Sequence, residues 1–368
     1  MRPVAFGSRF AVAALLLLLA GCATPRPAAP APTPALAPAP VTSPSPVTEG
    51  LPGPQTLLGW ADEDHLAAFV AYAQTCVVAR GEAAERQCAR ARLIQQTSRP
   101  VTPSMARGFF ETGFGVVAAE TADGGPGLLT AYFAPEYEAR RAPEGAFDTP
   151  VLARPDGWSR GWVGPTRAEI EAGAPPSPPL AWMRAEELFF LQIQGSGYLT
   201  FEDGSKARAA YAADNGRPFV GIARPMAERG LLPANGTSGE AIRAWLAARR
   251  GPEARAITAL NPRYIYFALD PDDGGDPAGA AGVPLPARRA IAVDPASWTY
   301  GDLVWISADG GNLRGARGSY SGLVMALDTG SAIRGPVRAD LYMGRGTAAG
   351  EEAGAVRHPL RMWRLVPR

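Results

Sequence analysis

The run from Leu323 to Gly346, LVMALDTGSAIRGPVRADLYMGRG, sets the tightest limit on what this chain can fold into. Two apolar segments, Leu323 to Leu327 and Ala339 to Tyr342, are too short for helices, and Gly, Ser and Pro separate them. Short apolar runs bounded by turn residues read as buried strands. Asp328 ends the first run and Asp340 sits inside the second, with Arg334 and Arg338 between them. Acids at strand ends or in turns project into clefts, and two carboxylates near cations suit acid–base chemistry in a groove. An Asp before Thr-Gly also serves as a turn former that caps its own backbone. Spacing alone leaves both roles open.

The same punctuation runs through the chain, with Gly 42 and Pro 37 in 368 residues. It favours many turns and short strands over long helices. The length suits about two domains. A formal net charge of +1 gives no electrostatic footprint for a nucleic-acid partner.

Residues 1–22 read as a targeting segment. Arg2 and Arg9 make a positive start, and Phe10 to Ala20 is apolar but too short for a bilayer span. Leu19-Ala20-Gly21-Cys22 resembles a bacterial lipobox, which implies cleavage before Cys22 and acylation of that residue. Several acyl chains anchor durably where one is marginal. Ala23, rather than Asp, follows the Cys, so the expected address is the outer membrane, facing the periplasm. An ordinary secretory cleavage site is the competing reading. Residues 23–55 are rich in Pro and Ala and read as an extended tether. In an oxidising compartment the remaining Cys76 and Cys88 suggest one disulfide, with two buried free thiols as the alternative. His65 and His358 form no cluster with ligand spacing, so no metal site is expected.

Trp60 to Thr97 reads as helical, with Asp62 or Asp64 as a cap, and Thr102 to Phe110 as a further short helix. Short strands follow from Gly115. The clearest are Leu128 to Phe133 and Leu188 to Ile193, and Asp203-Gly204 reads as a hairpin turn. A helical patch covers Ile222 to Ala259. Strands return at Arg263 to Phe267, Ala290 to Val293 and Leu303 to Ile306.

The segment QIQGSG, Gln192 to Gly197, offers neutral donors and acceptors at Gln192, Gln194 and Ser196, the chemistry sugars require. Gly195 and Gly197 permit close approach to backbone. A dinucleotide fingerprint would need a third glycine and a crossover helix. A glycine bulge in a strand is the structural alternative.

Seven stretches occur in one order: LTAYFAPEYEAR, FFLQIQGSGYL, Tyr211 to Gly221, NPRYIYF, AVDP, ALDTGSAIRG and ADLYMGRGTAAGEEAG. Together they resemble the membrane-bound lytic murein transglycosylase A family, over about residues 105–368. The resemblance implies a mainly β fold with peripheral helices. A double-psi β-barrel is split around a second, smaller β-domain, with a groove between them. The implied segments are 56–139 for the helical part and first barrel strands, 140–265 for the insert and 266–368 for the rest of the barrel. The implied activity is cleavage of the β-1,4 bond from N-acetylmuramic acid to N-acetylglucosamine, leaving a 1,6-anhydro end. The implied partners are glycan strands, the membrane through Cys22 and other cell-wall enzymes, with no cofactor.

By that resemblance Asp340 is the acid/base, Asp328 a supporting acid and Asp294 structural. Tyr132, Ala134, Gln192, Gln194, Gly195, Ser196 and Gly197 are then groove residues. One acid suffices for an anhydro product: it protonates the leaving oxygen, then takes the proton from the sugar's own O6. Such an intramolecular nucleophile has a large effective molarity. The acid must start protonated, so a raised pKa is required. Departures from the family pattern are Ser331, Arg334, Ala134 and Ala213, and none removes the acid. Ser331 also completes Asp-Thr-Gly-Ser, a pepsin-like signature, but such proteases need two of these loops and this chain holds one. A non-catalytic glycan-binding scaffold is the remaining alternative.

Overall fold

The computed structural model describes residues 50–233, 236–313 and 315–368. The expected signal segment, its Cys22 and the tether up to residue 49 lie outside the described residues. Residues 51–56 are already folded: Val116 N donates to Pro52 O at 2.9 Å, and Pro54 is buried.

Helices come first. α1 (His65–Thr75) is capped by Asp64, whose carboxylate accepts from Ala67 N at 3.0 Å. Such a cap stabilises by about 1 kcal/mol. α2 (Glu82–Thr97) and α3 (Pro103–Gly113) follow, the latter capped by Thr102. A Cys76–Cys88 disulfide, Cα to Cα 5.4 Å, joins the end of α1 to α2. Phe69, Tyr72, Phe109, Phe110 and Phe114 pack mostly edge to face beneath them. This layer is pinned to the sheet by buried Glu63, which accepts from Arg289 at 2.6 Å and from Leu323 N at 2.9 Å.

The strands are β1 (Phe114–Ala119), β2 (Gly127–Ala134), β3 (Glu136–Glu138), β4 (Thr149–Leu152), β5 (Pro179–Met183), β6 (Gly197–Thr200), β7 (Lys206–Asp214), β8 (Ile265–Pro271), β9 (Ala290–Ala292), β10 (Leu303–Asp309), β11 (Ser319–Asp328), β12 (Arg338–Arg345) and β13 (Arg357–Pro367). Interspersed are α4 (Arg167–Ala172), α5 (Ala185–Gln194), α6 (Ala223–Glu228), α7 (Gly239–Ala248), α8 (Pro252–Thr258) and α9 (Gly346–Ala353).

β13, β10, β11, β9, β12 and β2 hydrogen-bond in that order, and β2 pairs back with β13. The ring is a closed six-stranded barrel, which leaves no sheet edge. Its strands alternate faces at period two. Val304, Ile306, Leu129 and Leu341 belong to one apolar cluster, whereas Leu303, Trp305 and Tyr342 belong to the cluster shared with the helices. Two pairings are parallel, β9 with β11 and β2 with β12. Gly127 is required where β2 meets the chain before β12, since a Cβ there would lie 1.7 Å from Val337 O.

Between β2 and β9 the chain builds a second sheet, in the order β3-β6-β7-β8, with the β4–β5 pair and helices α4–α8. This sheet takes in residues 136–138 and runs on to 271, past the expected boundaries at 140 and 265.

One expectation fails. Leu188 to Ile193 is not a strand; it lies within α5. Glu186 and Glu187 favour a helix start, and Gly195, at φ 84°, ends it in the left-handed conformation. The run looked like a strand because this helix is buried on several sides: Leu188 and Leu191 serve one cluster and Phe189 another. A short apolar run buried all round carries no period. β13, whose alternating arginines masked it, and α9 are further elements beyond the sequence reading.

Candidate active site

Barrel register decides the site. Asp340 on β12 is aligned with Thr130 on β2, and Tyr342 with Tyr132. Period two places Thr130 and Tyr132 on the same face of β2. On the other side, Asp340 is aligned with Ala292 of β9, and so is Asp328 of β11. The two acids therefore flank one small residue, two strand spacings or about 10 Å apart along the backbone. Ala292 leaves open floor between them.

That floor belongs to a cleft of about 330 Å³. The barrel contributes Thr130, Tyr132, Asp328, Arg338 and Asp340, together with the turn Thr329 to Ile333. The inserted part contributes Gln192, Gln194 and Gly195 from the end of α5, and Tyr211, Phe219 and Arg263. Asp340 and Asp328, the two acids named from sequence, thus share one cleft with Tyr132, Gln192, Gln194 and Gly195. Ser196, Gly197 and Ala134 are not among its lining residues. Ala134 is buried, and Gly197 serves packing, because a Cβ there would lie 2.6 Å from Leu191 and 2.8 Å from Pro135 O.

The polar geometry is directional. Arg338 Nη2 donates to Thr130 Oγ1 at 2.9 Å. A guanidinium cannot accept, so the Thr130 hydrogen is left for Asp340 Oδ1, with which it makes a short bond. Asp340 Oδ2 is thereby the oxygen left for a ligand. Burial raises the Asp340 carboxyl, and nearby Asp328 adds to it; the Thr130 bond and the Arg338 charge pull the other way without cancelling it. Burial also raises Asp328, against bonds from Tyr132 Oη at 2.7 Å, Ala280 N at 2.9 Å and Thr329 N at 2.9 Å. The Arg338 guanidinium is spent on backbone oxygens of Leu128 and Ala339 besides Thr130, and burial lowers it.

Arg334 and Asp294 stand apart. Arg334 is largely exposed and lies 3.6 Å from Asp294. Asp294 accepts from Gly335 N at 2.7 Å and Ala296 N at 3.1 Å, bonds that hold it below the usual carboxylate range and shape the turn at Gly335.

On the inserted wall, Gln194 Oε1 accepts from Phe133 N at 3.2 Å, so it is braced against β2. Gln192 Nε2 donates to Ile265 O at 3.1 Å, while its Oε1 has no protein partner. Tyr211 is 50% exposed, and its hydroxyl donates to Asp214 at 2.6 Å. Arg263 is neutralised by Asp214 at 2.7 Å. This wall offers aromatic faces and amides without a free charge, which suits a neutral, hydroxyl-rich ligand. Thr130, Tyr211, Phe219, Arg263 and Ala292 escaped the sequence reading. All five lie within the seven ordered stretches, and Thr130 carries the further signal of its two-residue spacing from Tyr132. No group of acids, histidines and thiols among the described residues is arranged to hold a metal ion.

Known proteins resemble this chain in sequence and fold. The MltA specific insert domain family matches residues 128–268, and the 3D domain family matches residues 289–366. The membrane-bound lytic murein transglycosylase A of Vibrio cholerae is 34% identical over 264 residues, 68% of this chain and 69% of that protein. The crystal structure of a membrane-bound lytic murein transglycosylase from Agrobacterium tumefaciens is 31% identical, with a TM-score of 0.72 over 86% of this chain and 97% of that one. MltA of Escherichia coli with bound chitohexaose is 28% identical, with a TM-score of 0.65 over 83% of this chain and 89% of that one. The chain belongs to the membrane-bound lytic murein transglycosylase A family.

Proposed function

We propose that this protein is a lytic transglycosylase that cleaves the β-1,4 bond between N-acetylmuramic acid and N-acetylglucosamine in peptidoglycan, with Asp340 as its one acid/base. The observation that carries the reading is the Arg338–Thr130–Asp340 chain at the floor of a cleft whose other wall is neutral and aromatic. Burial favours the protonated carboxyl. With Oδ1 committed to Thr130, the proton sits on Oδ2 and passes to the leaving O4 as the C1–O4 bond breaks. The muramic O6 then bonds to C1, and its proton returns to Asp340 Oδ2. No water is consumed. Asp328, fixed by three donors, contributes negative potential beside the developing oxocarbenium charge. A water-using glycosidase needs two carboxyl groups at a set separation, whereas an internal nucleophile needs one.

The relatives' names describe membrane-bound proteins. None of the helices among the described residues is long and apolar enough to cross a membrane. Acylation of Cys22 supplies the anchor in this reading, at the outer membrane and facing the periplasm. A Cys22→Ser chain should then lose labelled acyl chains and leave the membrane fraction.

Incubation with purified peptidoglycan and mass analysis of the fragments tests the reaction. Muramic ends lighter by one water than reducing ends are expected. Reducing ends would make the protein a hydrolase. Glycan retained without any fragments would make it a scaffold.

A further inference from the structure

Behind the cleft the inserted part encloses a second cavity, of about 370 Å³. α5 is the partition. Glu186, Leu188 and Phe189 face this cavity, whereas Gln192, Ile193 and Gln194 face the cleft. Its volume falls in the range of small-molecule sites, roughly 300–1,000 Å³.

The lining has a different character from that of the cleft. Leu152, Ile170, Phe189 and Leu246 are all at most 6% exposed. The charged groups come in closed pairs. Arg167 donates to Glu171 at 3.0 Å and to the backbone oxygens of Asn261 and Arg263 at 3.2 and 2.8 Å. Arg250 donates to both oxygens of Glu186. Towards solvent, Arg255 and Asp148 are both exposed and opposite in sign, so the rim carries no net charge. No lining residue has a buried side-chain donor or acceptor left without a partner. Inside, the Arg167, Glu171, Arg250 and Glu186 charges are already paired, and the lining charges outside those pairs, Arg255 and Asp148, stand at the exposed rim, where a contact is screened by water. Apolar matter needs no such pairing, and apolar cavities take up apolar guests.

We propose that this cavity is a second ligand site, distinct from the glycan cleft, for an uncharged apolar small molecule: an aromatic ring or a short alkyl chain. The full chain, titrated by calorimetry with 1-octanol, octanoate and octylamine, tests it without reference to cleavage. Octanol should bind at least about ten-fold tighter than either charged analogue, because a charge carried into the cavity is desolvated unpaired and one held at the rim by Arg255 or Asp148 gains only a solvent-screened contact. Ala254, buried in the wall, becomes a plug in Ala254→Phe, and octanol affinity should fall at least about ten-fold as the cavity fills. Pro175→Trp narrows the cavity from an exposed position and should act in the same direction without disturbing the core. Equal affinity for all three probes overturns the proposal. So does undiminished octanol binding in both variants, or no binding up to the solubility of octanol.

Discussion

On the barrel wall of the cleft the polar groups answer to one another. Arg338 donates to Thr130, Thr130 to Asp340 and Tyr132 to Asp328, and one Asp340 oxygen is left over. On the inserted wall fewer contacts close: Gln194 Oε1 is held by one bond, from Phe133 N, and the Tyr211 ring is half exposed. A closed network of donors fixes a protonation state, because moving one proton disturbs each bond in the chain. Open amides and rings fix nothing until a ligand arrives. In the proposed reaction, proton transfer falls to the barrel and sugar recognition to the insert. Barrel variants should therefore act on kcat and its pH profile, and insert variants on KM.

The largest effect expected is that of Asp340→Asn. The amide keeps the shape but carries no transferable proton, so both halves of the reaction are lost. Cleavage of purified peptidoglycan should fall at least about 1,000-fold, with glycan retained on pull-down. Residual cleavage near the wild-type rate would move the acid elsewhere. The same variant should gain stability. A carboxyl raised by burial binds its proton more tightly folded than unfolded, so wild-type stability is full below the ordinary carboxylate value and declines as pH rises towards the raised folded one. At neutral pH, above the ordinary carboxylate value, the wild type has given up part of that contribution and the amide has not. The melting temperature of Asp340→Asn should exceed that of wild type at pH 7, and the gap should close in acid.

Thr130→Val comes next. It removes a bond that favours the Asp340 carboxylate, so the carboxyl should rise further and the alkaline limb of the activity profile move to higher pH. Losing a hydrogen bond to an ionisable group costs about 1.5–3 kcal/mol, or roughly 10–100-fold in kcat. Thr130→Ser should restore both the rate and the limb, which a mere packing role for Thr130 would not require. A drop in rate with an unmoved limb would break the relay.

How much of this was legible in the residues differs between the same two walls. The barrel wall was half readable: Asp328 and Asp340 end or interrupt short apolar runs, and the seven ordered stretches gave them roles. What joins them was not readable. Thr130 meets Asp340 across 210 positions, and Ala292 lies between the acids only because β9 pairs with both β11 and β12. Such pairings are properties of barrel closure and leave no local trace. On the inserted wall the glutamines were found for a faulty reason. Their segment has the pattern of a strand running into a glycine turn, yet Gln192 and Gln194 reach the cleft from the last turn of α5, and Gly195 is its cap. Tyr211 and Arg263 are brought together by Asp214, a contact that no spacing in the chain predicts.

The smallest effect tests the inserted wall by itself. Tyr211 lines the cleft and is half exposed, so Tyr211→Ala removes a face without opening the core. An aromatic contact of this kind contributes about 0.5–1.5 kcal/mol, roughly a 2–10-fold rise in KM. Because its hydroxyl bonds Asp214 rather than Asp328 or Asp340, kcat and the pH limb should stay where they are. Tyr211→Phe keeps the ring and gives up only the bond to Asp214 at 2.6 Å. It should recover most of the lost affinity, and the remainder measures how well that bond holds the ring in place. A fall in kcat at constant KM in Tyr211→Ala would mean that the insert takes part in the proton chemistry, and the division between the two walls would fail.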